Sequence, residues 1–505
     1  MPDGLAQNAT ARPPSGVEAV KAESRALRGT ILAELNDPAL PSVSEAAYGL
    51  LKFHGTYEQH DRDTATALKQ AGQEKDWQFM VRIRAPAGRL LPAQYLELDR
   101  LADRYGNASL RVTTRQTIQF HGVAKDNLRA HIGAIEASLL TTFATCGDVA
   151  RNVLATPAPF ADLLHQELDE AAQLLSSALL PRTRAHHDIF VAGEDAAEAG
   201  EEEPLYGPTY LPRKFKIALA HPADNTVDLL SNDLGFLAEP DEAGHVTHWI
   251  VTVGGGQGMT HNKPRTYPRL ATPIARIPAA DLLRAAEAVV RFTRDYGDRS
   301  DRKRARLKYV VDDLGLAAVK AEIERYFGGA LQDPPPLPRF AVPDHLGWHE
   351  AGDGTLWLGV PVASGRIADA NGMRLRSFLR TVVEKFGARV VLSPLQFSFD
   401  AAELRLPVRL GLLNAEAHQD LIVYVLHQSK RFEVANYPNV FIPTNLEVVN
   451  ETRNNFGGFY AELFDETLRR QNNRAVITEY AWDSGSCDPC PTPPLTASEL
   501  HTLGA

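Results

Sequence analysis

The sequence predicts an α+β fold. Short runs of period-two alternation recur at Phe79–Pro86, Arg111–Gly122 and Thr209–Ala220, as expected of half-buried strands. Longer stretches carry apolar residues at helical spacing, most clearly Ala279–Tyr296 with Leu282, Ala286, Val289, Val290 and Phe292 on one stripe. The order strand, glycine turn, helix, strand of residues 77–115 returns at residues 347–392, which implies an internal duplication.

Size and charge bound the function. The 505 residues suffice for roughly two to four domains with their own cores. The net charge of −10 argues against a general nucleic-acid binder, whose surface would be basic. No apolar run approaches a membrane span, and Met1–Gly16 is polar, without the apolar core of a secretory signal. Three cysteines exclude a disulfide scaffold. The expected location is the cytoplasm.

In chain order, residues 1 to about 20 read as a flexible tail and 17–36 as a helix carrying Val17, Val20, Leu27, Ile31 and Leu32. Lys52–Arg62 is polar and turn-rich. The strand at 79–86 puts Arg82 and Arg84 on one face, and Leu91–Tyr105 reads as the helix that follows, stopped by Gly106-Asn107. Within Arg111–Gly122, Val112, Ile118 and Phe120 hold even positions. The odd ones are Arg111, Thr113, Arg115, Thr117, Gln119 and His121, all hydrogen-bonding side chains. This is a strand, or a bent pair of strands, with one donor-rich face. Leu128–Leu140 reads as a helix, Thr145–Val153 as a loop bearing Arg151 and Asn152, and Glu194–Glu203 as an acidic surface loop.

Pro212 opens a predicted strand that buries Ile217 and Leu219 and sets Lys214 and Lys216 on one face. A solvated edge would explain the two lysines alone. Three separate strands presenting cations on one side exceed what a solvated surface needs, so they read as lining a shared polyanion site. The run Val251–Gly258 either wraps a phosphate or carboxylate or makes a tight turn. Arg299–Lys308 is dense in cations, and Asp333–Pro338 is a linker by composition. A helix at about 369–386 and a strand at Arg389–Leu392 complete the second repeat.

Five motifs carry a resemblance. Phe53-His-Gly-x-Tyr57, Arg115-Gln-Thr-Ile-Gln-Phe-His-Gly122, Ala150-Arg-Asn-Val153, Tyr210-Leu-Pro-Arg-Lys-Phe-Lys216 and Asp301-Arg-Lys303 resemble the sirohaem-dependent sulfite/nitrite reductase haemoproteins, with consistent order from about 45 to 393. The resemblance implies a ferredoxin-like pseudo-twofold domain from residues 45–144 and 340–395. It also implies an α/β sirohaem-binding domain at 145–335, after an N-terminal tail and helix at 1–44. Sirohaem, an iron tetrapyrrole rimmed with carboxylates, is the implied polyanion. By the same resemblance Arg82, Arg151, Lys214 and Lys216 hold the substrate anion, while Arg111, Arg115, Thr117, Gln119, His121, Asn152, Arg213, Arg302 and Arg306 lie near the macrocycle. Arg306 stands where relatives have Lys, which keeps the charge and alters the donor geometry. Lys216 and His121 resemble the sulfite-reducing branch more than the nitrite-reducing one. The implied reaction is the six-electron reduction of sulfite to sulfide, with a ferredoxin or flavoprotein as electron donor and no nucleic-acid or membrane partner.

The family's 4Fe–4S cluster takes four cysteines, whereas this chain has Cys146, Cys487 and Cys490 only. From Phe397 onward the chain instead resembles the C-terminal part of an uncharacterised bacterial domain family and reads as β-rich. The resemblance makes Cys487-Asp-Pro-Cys490 a disulfide; a thiol pair or half a zinc site are the alternatives. Three functions stay open: a sulfite reductase-like enzyme, inactive if the cluster is missing; a nitrite reductase; and a non-catalytic tetrapyrrole-binding or interaction protein. A chain that does not fold stably is a further outcome, because the second repeat stops near Ser393.

Overall fold

A computed structural model describes residues 12–400, apart from 195–202, 261–262, 344, 363–364, 371–372 and 394–395. Their strands form three five-stranded sheets and one two-stranded ribbon. The first sheet runs β1 (Thr56–His60), β2 (Trp77–Arg82), β5 (Ile118–Val123), β4 (Leu110–Val112), β13 (Arg366–Ile367). The second runs β10 (Thr272–Pro278), β9 (Val246–Val253), β8 (Leu234–Pro240), β7 (Ile217–Ala220), β6 (Leu154–Ala155). The third runs β11 (Gly347–Glu350), β12 (Leu356–Pro361), β17 (Gln396–Asp400), β16 (Arg389–Ser393), β3 (Arg89–Leu90), and β14 (Asp369–Ala370) with β15 (Met373–Arg374) make the ribbon.

The first and third sheets repeat one plan. Each is two antiparallel hairpins, β1–β2 with β4–β5 and β11–β12 with β16–β17. A helix joins the hairpins, Pro92–Tyr105 in one half and Leu375–Phe386 in the other. The fifth strand of each sheet is lent by the opposite half: β3 pairs with β16, Leu90 facing Val390, and β13 pairs with β4, Arg366 facing Arg111. The duplication is thus a pseudo-twofold pair of ferredoxin-like halves. A glycine precedes each lent strand. Gly88 (φ +73°) and Gly365 (φ +68°) are left-handed, and a Cβ on them would lie 2.1 Å from the Leu392 carbonyl oxygen and 2.2 Å from that of Val112. Arg376 ties the two helices together, donating at 2.6 Å to both Asp99 and Asp103.

The middle sheet is mixed, with β6, β7 and β8 parallel and β8, β9 and β10 antiparallel. Helices Leu163–Ala178, Leu282–Tyr296, Leu307–Leu314 and Leu316–Phe327 belong to this domain. The predicted stripe of Leu282–Tyr296 is buried as expected. Asp162 caps the first of these helices, accepting from the His165 amide at 2.9 Å. One apolar core joins all three sheets, with Phe120, Phe236 and Val390 among its members. No described helix is long and apolar enough to cross a membrane.

Five local expectations are corrected. The helix at 17–36 is two, Gly16–Ala22 and Ile31–Asn36, because Arg25, Ala26 and Leu27 all take positive φ (51°, 55° and 74°). That turn buries Leu27 and Ile31 completely, and their burial overrides helix propensity. The polar segment Lys52–Arg62 contains strand β1. The strand expected from Pro212 starts only at Ile217; Phe215 before it makes one parallel bridge to Ala150. The helix of the second repeat begins at Leu375, after the ribbon. The proline-rich linker is fastened down, with Leu337 and Phe340 packed on Leu154, Ala218 and Ile250. Residues 401–505, with Cys487, Cys490 and most of the expected β-rich segment, lie outside the described residues.

Candidate functional site

A row of cations crosses the first sheet. In register, Arg366 faces Arg111, Arg111 faces Gln119, and Gln119 faces Arg82, so four neighbouring strands put these side chains on one face. The Gln119 amide, turned with its oxygen toward Arg82, accepts from Nε at 3.1 Å. His121 follows two residues on. Burial and the charges of Arg111, Arg366 and Arg82 push its pKa down to about 4, so it stands neutral, and its Nε2 is buried without a hydrogen-bond partner among the described residues. Burial also lowers the pKa of Arg111, with Arg366 and Arg82 adding to it.

The loop after Thr145 extends the row. Arg82 Nη1 donates to Cys146 Sγ at 3.3 Å. Burial raises the Cys146 thiol, but Arg82 and Arg151, helped by the Tyr57 and Thr145 hydroxyls, outweigh it and hold the pKa below the ordinary value. Tyr57 is pushed up to about 12 by burial and by Cys146. The Arg151 amide donates to the Phe215 carbonyl at 3.0 Å, and that of Phe215 to Val149 at 3.2 Å. This brings Arg151 within electrostatic reach of Arg213. Burial depresses the pKa of Arg213 against the pull of Asp148, and Arg302, Arg151 and Arg306 depress it further.

Two carboxylates brace this group of cations, the cation basin. Asp148 takes Arg302 through both oxygens, at 2.8 and 3.0 Å. Asp233 takes Arg306 in the same way, at 3.1 and 2.8 Å, and also accepts the Lys216 amide at 2.9 Å. The guanidinium groups of Arg111 and Arg213 have no hydrogen bond or ion pair among the described residues. The donor set is rich in N–H groups and guanidinium charge in excess of the acids, and it fits a ligand rimmed with carboxylates.

The other predicted residues hold the domains together. Arg115 donates to the carbonyls of Asn152 (2.6 Å) and Ile217 (2.8 Å) and to the Asn232 side chain (2.8 Å). Asn152 bonds both backbone groups of Ala85 and the carbonyl of Arg115. Thr117 is buried against the Thr113 hydroxyl at 2.6 Å. Arg84, expected beside Arg82, is turned inward onto Ser176 and the Ala144 carbonyl. The glycine run is no anion cradle: the amides of Gly254, Gly255 and Gly256 donate to Asp233, Asn232 and Arg269 carbonyls. Its carbonyls instead receive cations, Gly255 from Arg306 and Gly256 and Gly258 from Lys308. Sequence reasoning missed Lys52, Tyr57 and Arg366. Arg366 was recoverable, since Gly365-Arg-Ile repeats Gly88-Arg-Leu.

Comparison with known proteins agrees with this architecture. Residues 71–138 match the nitrite/sulfite reductase ferredoxin-like half domain, and residues 170–331 match the nitrite and sulphite reductase 4Fe-4S domain. The chain is 44% identical over 388 residues to the sulfite reductase (NADPH) hemoprotein beta-component of Geobacillus kaustophilus, covering 76% of this chain and 68% of that one. The chain belongs to the sulfite/nitrite reductase haemoprotein family. The chain is also 42% identical over 398 residues to the sulfite reductase (ferredoxin) of Synechococcus elongatus, covering 75% and 63%. It therefore spans about two thirds of the length of these curated relatives. The solved structure of Mycobacterium tuberculosis NirA shares the fold, with a TM-score of 0.62 and 22% identity over 80% of this chain and 69% of that one. The family depends on sirohaem and a 4Fe–4S cluster. Residues 375–505 match a further family, an uncharacterized protein conserved in bacteria (DUF2330). The structure packs 375–393 of that stretch into the haemoprotein body, through Arg376 and strand β16.

Proposed function

We propose that this chain reduces sulfite to sulfide, a six-electron reduction, with the site formed by the cation basin. The observation that supports this best is the excess of guanidinium charge over carboxylate along the row Arg366, Arg111, Arg82 and its continuation through Arg151 and Arg213. Arg111, Gln119, His121 and Arg213 would hold the carboxylates of sirohaem, with Arg302 and Arg306 behind them and Arg115, Thr117 and Asn152 fixing the seam. Sirohaem supplies the redox-active iron. Arg82, Arg151, Lys214 and Lys216 bind the oxyanion, orient it and offset its charge. The ammonium groups at Nζ of Lys214 and Lys216 supply protons as oxygen leaves as water. Two ammoniums favour a sulfite dianion over a nitrite monoanion. A ferredoxin or a flavoprotein is the proposed electron donor, because one relative is a ferredoxin enzyme and another an NADPH enzyme.

A second reading has a specific observation behind it. Three cysteines are one short of the thiolates that the family's cluster takes, which favours a sirohaem-binding protein without turnover. Purification in the presence of sirohaem separates the two. Haem absorbance with sulfite-dependent oxidation of reduced methyl viologen is expected for the enzyme, and absorbance alone for the binder. Faster oxidation with nitrite would overturn the substrate choice. In Lys214→Ala/Lys216→Ala the sulfite-induced spectral shift should weaken at least ten-fold in half-saturation (about 1.4 kcal/mol); an unchanged shift removes those lysines from the site.

A further inference from the structure

The N-terminal helix Gly16–Ala22 brings two buried charges to the basin wall. Glu18 and Lys21 are 5% and 1% exposed. Lys21 Nζ lies 2.7 Å from Glu18 Oε1 and 3.4 Å from Asp148 Oδ2, and donates to the Leu211 carbonyl at 2.8 Å. Glu18 takes Arg299 on its other oxygen and lies 4.0 Å from Arg302, the residue that Asp148 grips with both oxygens. Acids and bases thus alternate from the helix to the basin. Burying charges in this way costs desolvation that an apolar contact would avoid, so fastening the helix does not by itself explain their presence.

We infer that Glu18 and Lys21 are positioning residues of the anion site: they fix the charge balance around the Asp148–Arg302 pair and so set how strongly the basin attracts an anion. The inference rests on the basin being the anion site of the proposed function. Without Lys21, Asp148 and Glu18 keep fewer cations, and Lys52 and Arg213, both within electrostatic reach of Asp148, are drawn toward it and away from the ligand. Without Glu18, Arg299 loses its carboxylate and the Arg302–Asp148 pair loses a neighbouring negative charge, so the wall turns more positive. The two substitutions therefore shift anion affinity in opposite directions, while a merely structural role would make both weaken it or leave it alone.

The test is equilibrium binding of inorganic sulfite to the full chain at low salt, with thermal unfolding measured alongside. Lys21→Met should weaken binding about ten-fold, Glu18→Gln should tighten it several-fold, and both should lower the melting temperature. Lys21→Arg should restore wild-type affinity. Shifts in the same direction, or unchanged affinity with lowered melting temperature, would overturn the inference and leave the basin standing. If Lys21→Met does not fold, Glu18→Gln decides alone: tightening supports the inference, and no change or weakening overturns it. Wild-type protein that binds no sulfite would remove the basin reading and this inference together.

Discussion

Lys52 holds its ammonium 3.6 Å from the centre of the Tyr48 ring, at the edge of the cation basin. Burial pulls its pKa down to about 8, and Arg302 and Arg213 act the same way against Asp148. An arriving anion favours the protonated form, so anion binding should be strongest below pH 8 and weaken as pH rises through it. Sulfite affinity measured from pH 7.5 to 9.5 should fall as pH rises through 8, by at most one log unit per pH unit. Lys52→Arg should lose this fall; an identical profile in that variant would assign it to another group. At this scale the sequence was partly legible. Period two put Arg111 and Gln119 on one face, and the structure keeps them there because the hairpin between β4 and β5 pairs residues of like parity, Arg111 with Gln119 and Val112 with Ile118; Arg82 lies opposite Gln119 on the next strand. Arg115 obeys the same alternation but lies in the hairpin turn, where Gln116 has φ +53°, and its guanidinium turns inward. The acids that brace the basin were not legible, because Asp148 and Arg302 are 154 positions apart and Asp233 and Arg306 are 73 apart.

Among the elements, the two lent strands are the most demanding. Gly365→Ala would combine a left-handed alanine with a Cβ driven into the Val112 carbonyl, and should destabilise by about 3 kcal/mol, read as a lower denaturant midpoint with an unchanged slope. Gly387→Ala is the control, since its Cβ meets nothing within 4 Å and only the backbone penalty remains. A loss no larger at Gly365 than at Gly387 would remove the close-approach argument. The strand–helix–strand order made the duplication readable, because each unit carries its own turn glycine and amphipathic helix. The exchange itself was hidden: β3 and β13 are two residues long, too short for any period to register. The break between Gly16–Ala22 and Ile31–Asn36 was equally silent, since apolar residues at helical spacing continue across it.

For the whole molecule, buried histidines set the acid limit. His131 stacks on Tyr105 and meets Phe120 edge-on at 4.4 Å, with neither ring nitrogen partnered among the described residues. Burial pushes its pKa down to about 3, and burial with His186 does the same for His54. Each titrates near 6.5 once unfolded, so the unfolded chain takes up protons that the folded one refuses. Stability is complete above pH 6.5 and drains away as pH falls toward the folded value, by about 2 kcal/mol per histidine at pH 5. His131→Phe should therefore raise the melting temperature more at pH 5 than at pH 8; equal shifts would place the acid sensitivity elsewhere. The reciprocal strand exchange has a cost in time rather than in energy. During synthesis β4 stays an open edge until Arg366 and Ile367 emerge, roughly 240 residues after the first sheet's own last strand. For that interval the nascent half-domain exposes backbone donors and acceptors to any passing strand, so its biogenesis should depend on chaperones far more than the finished protein's stability would suggest.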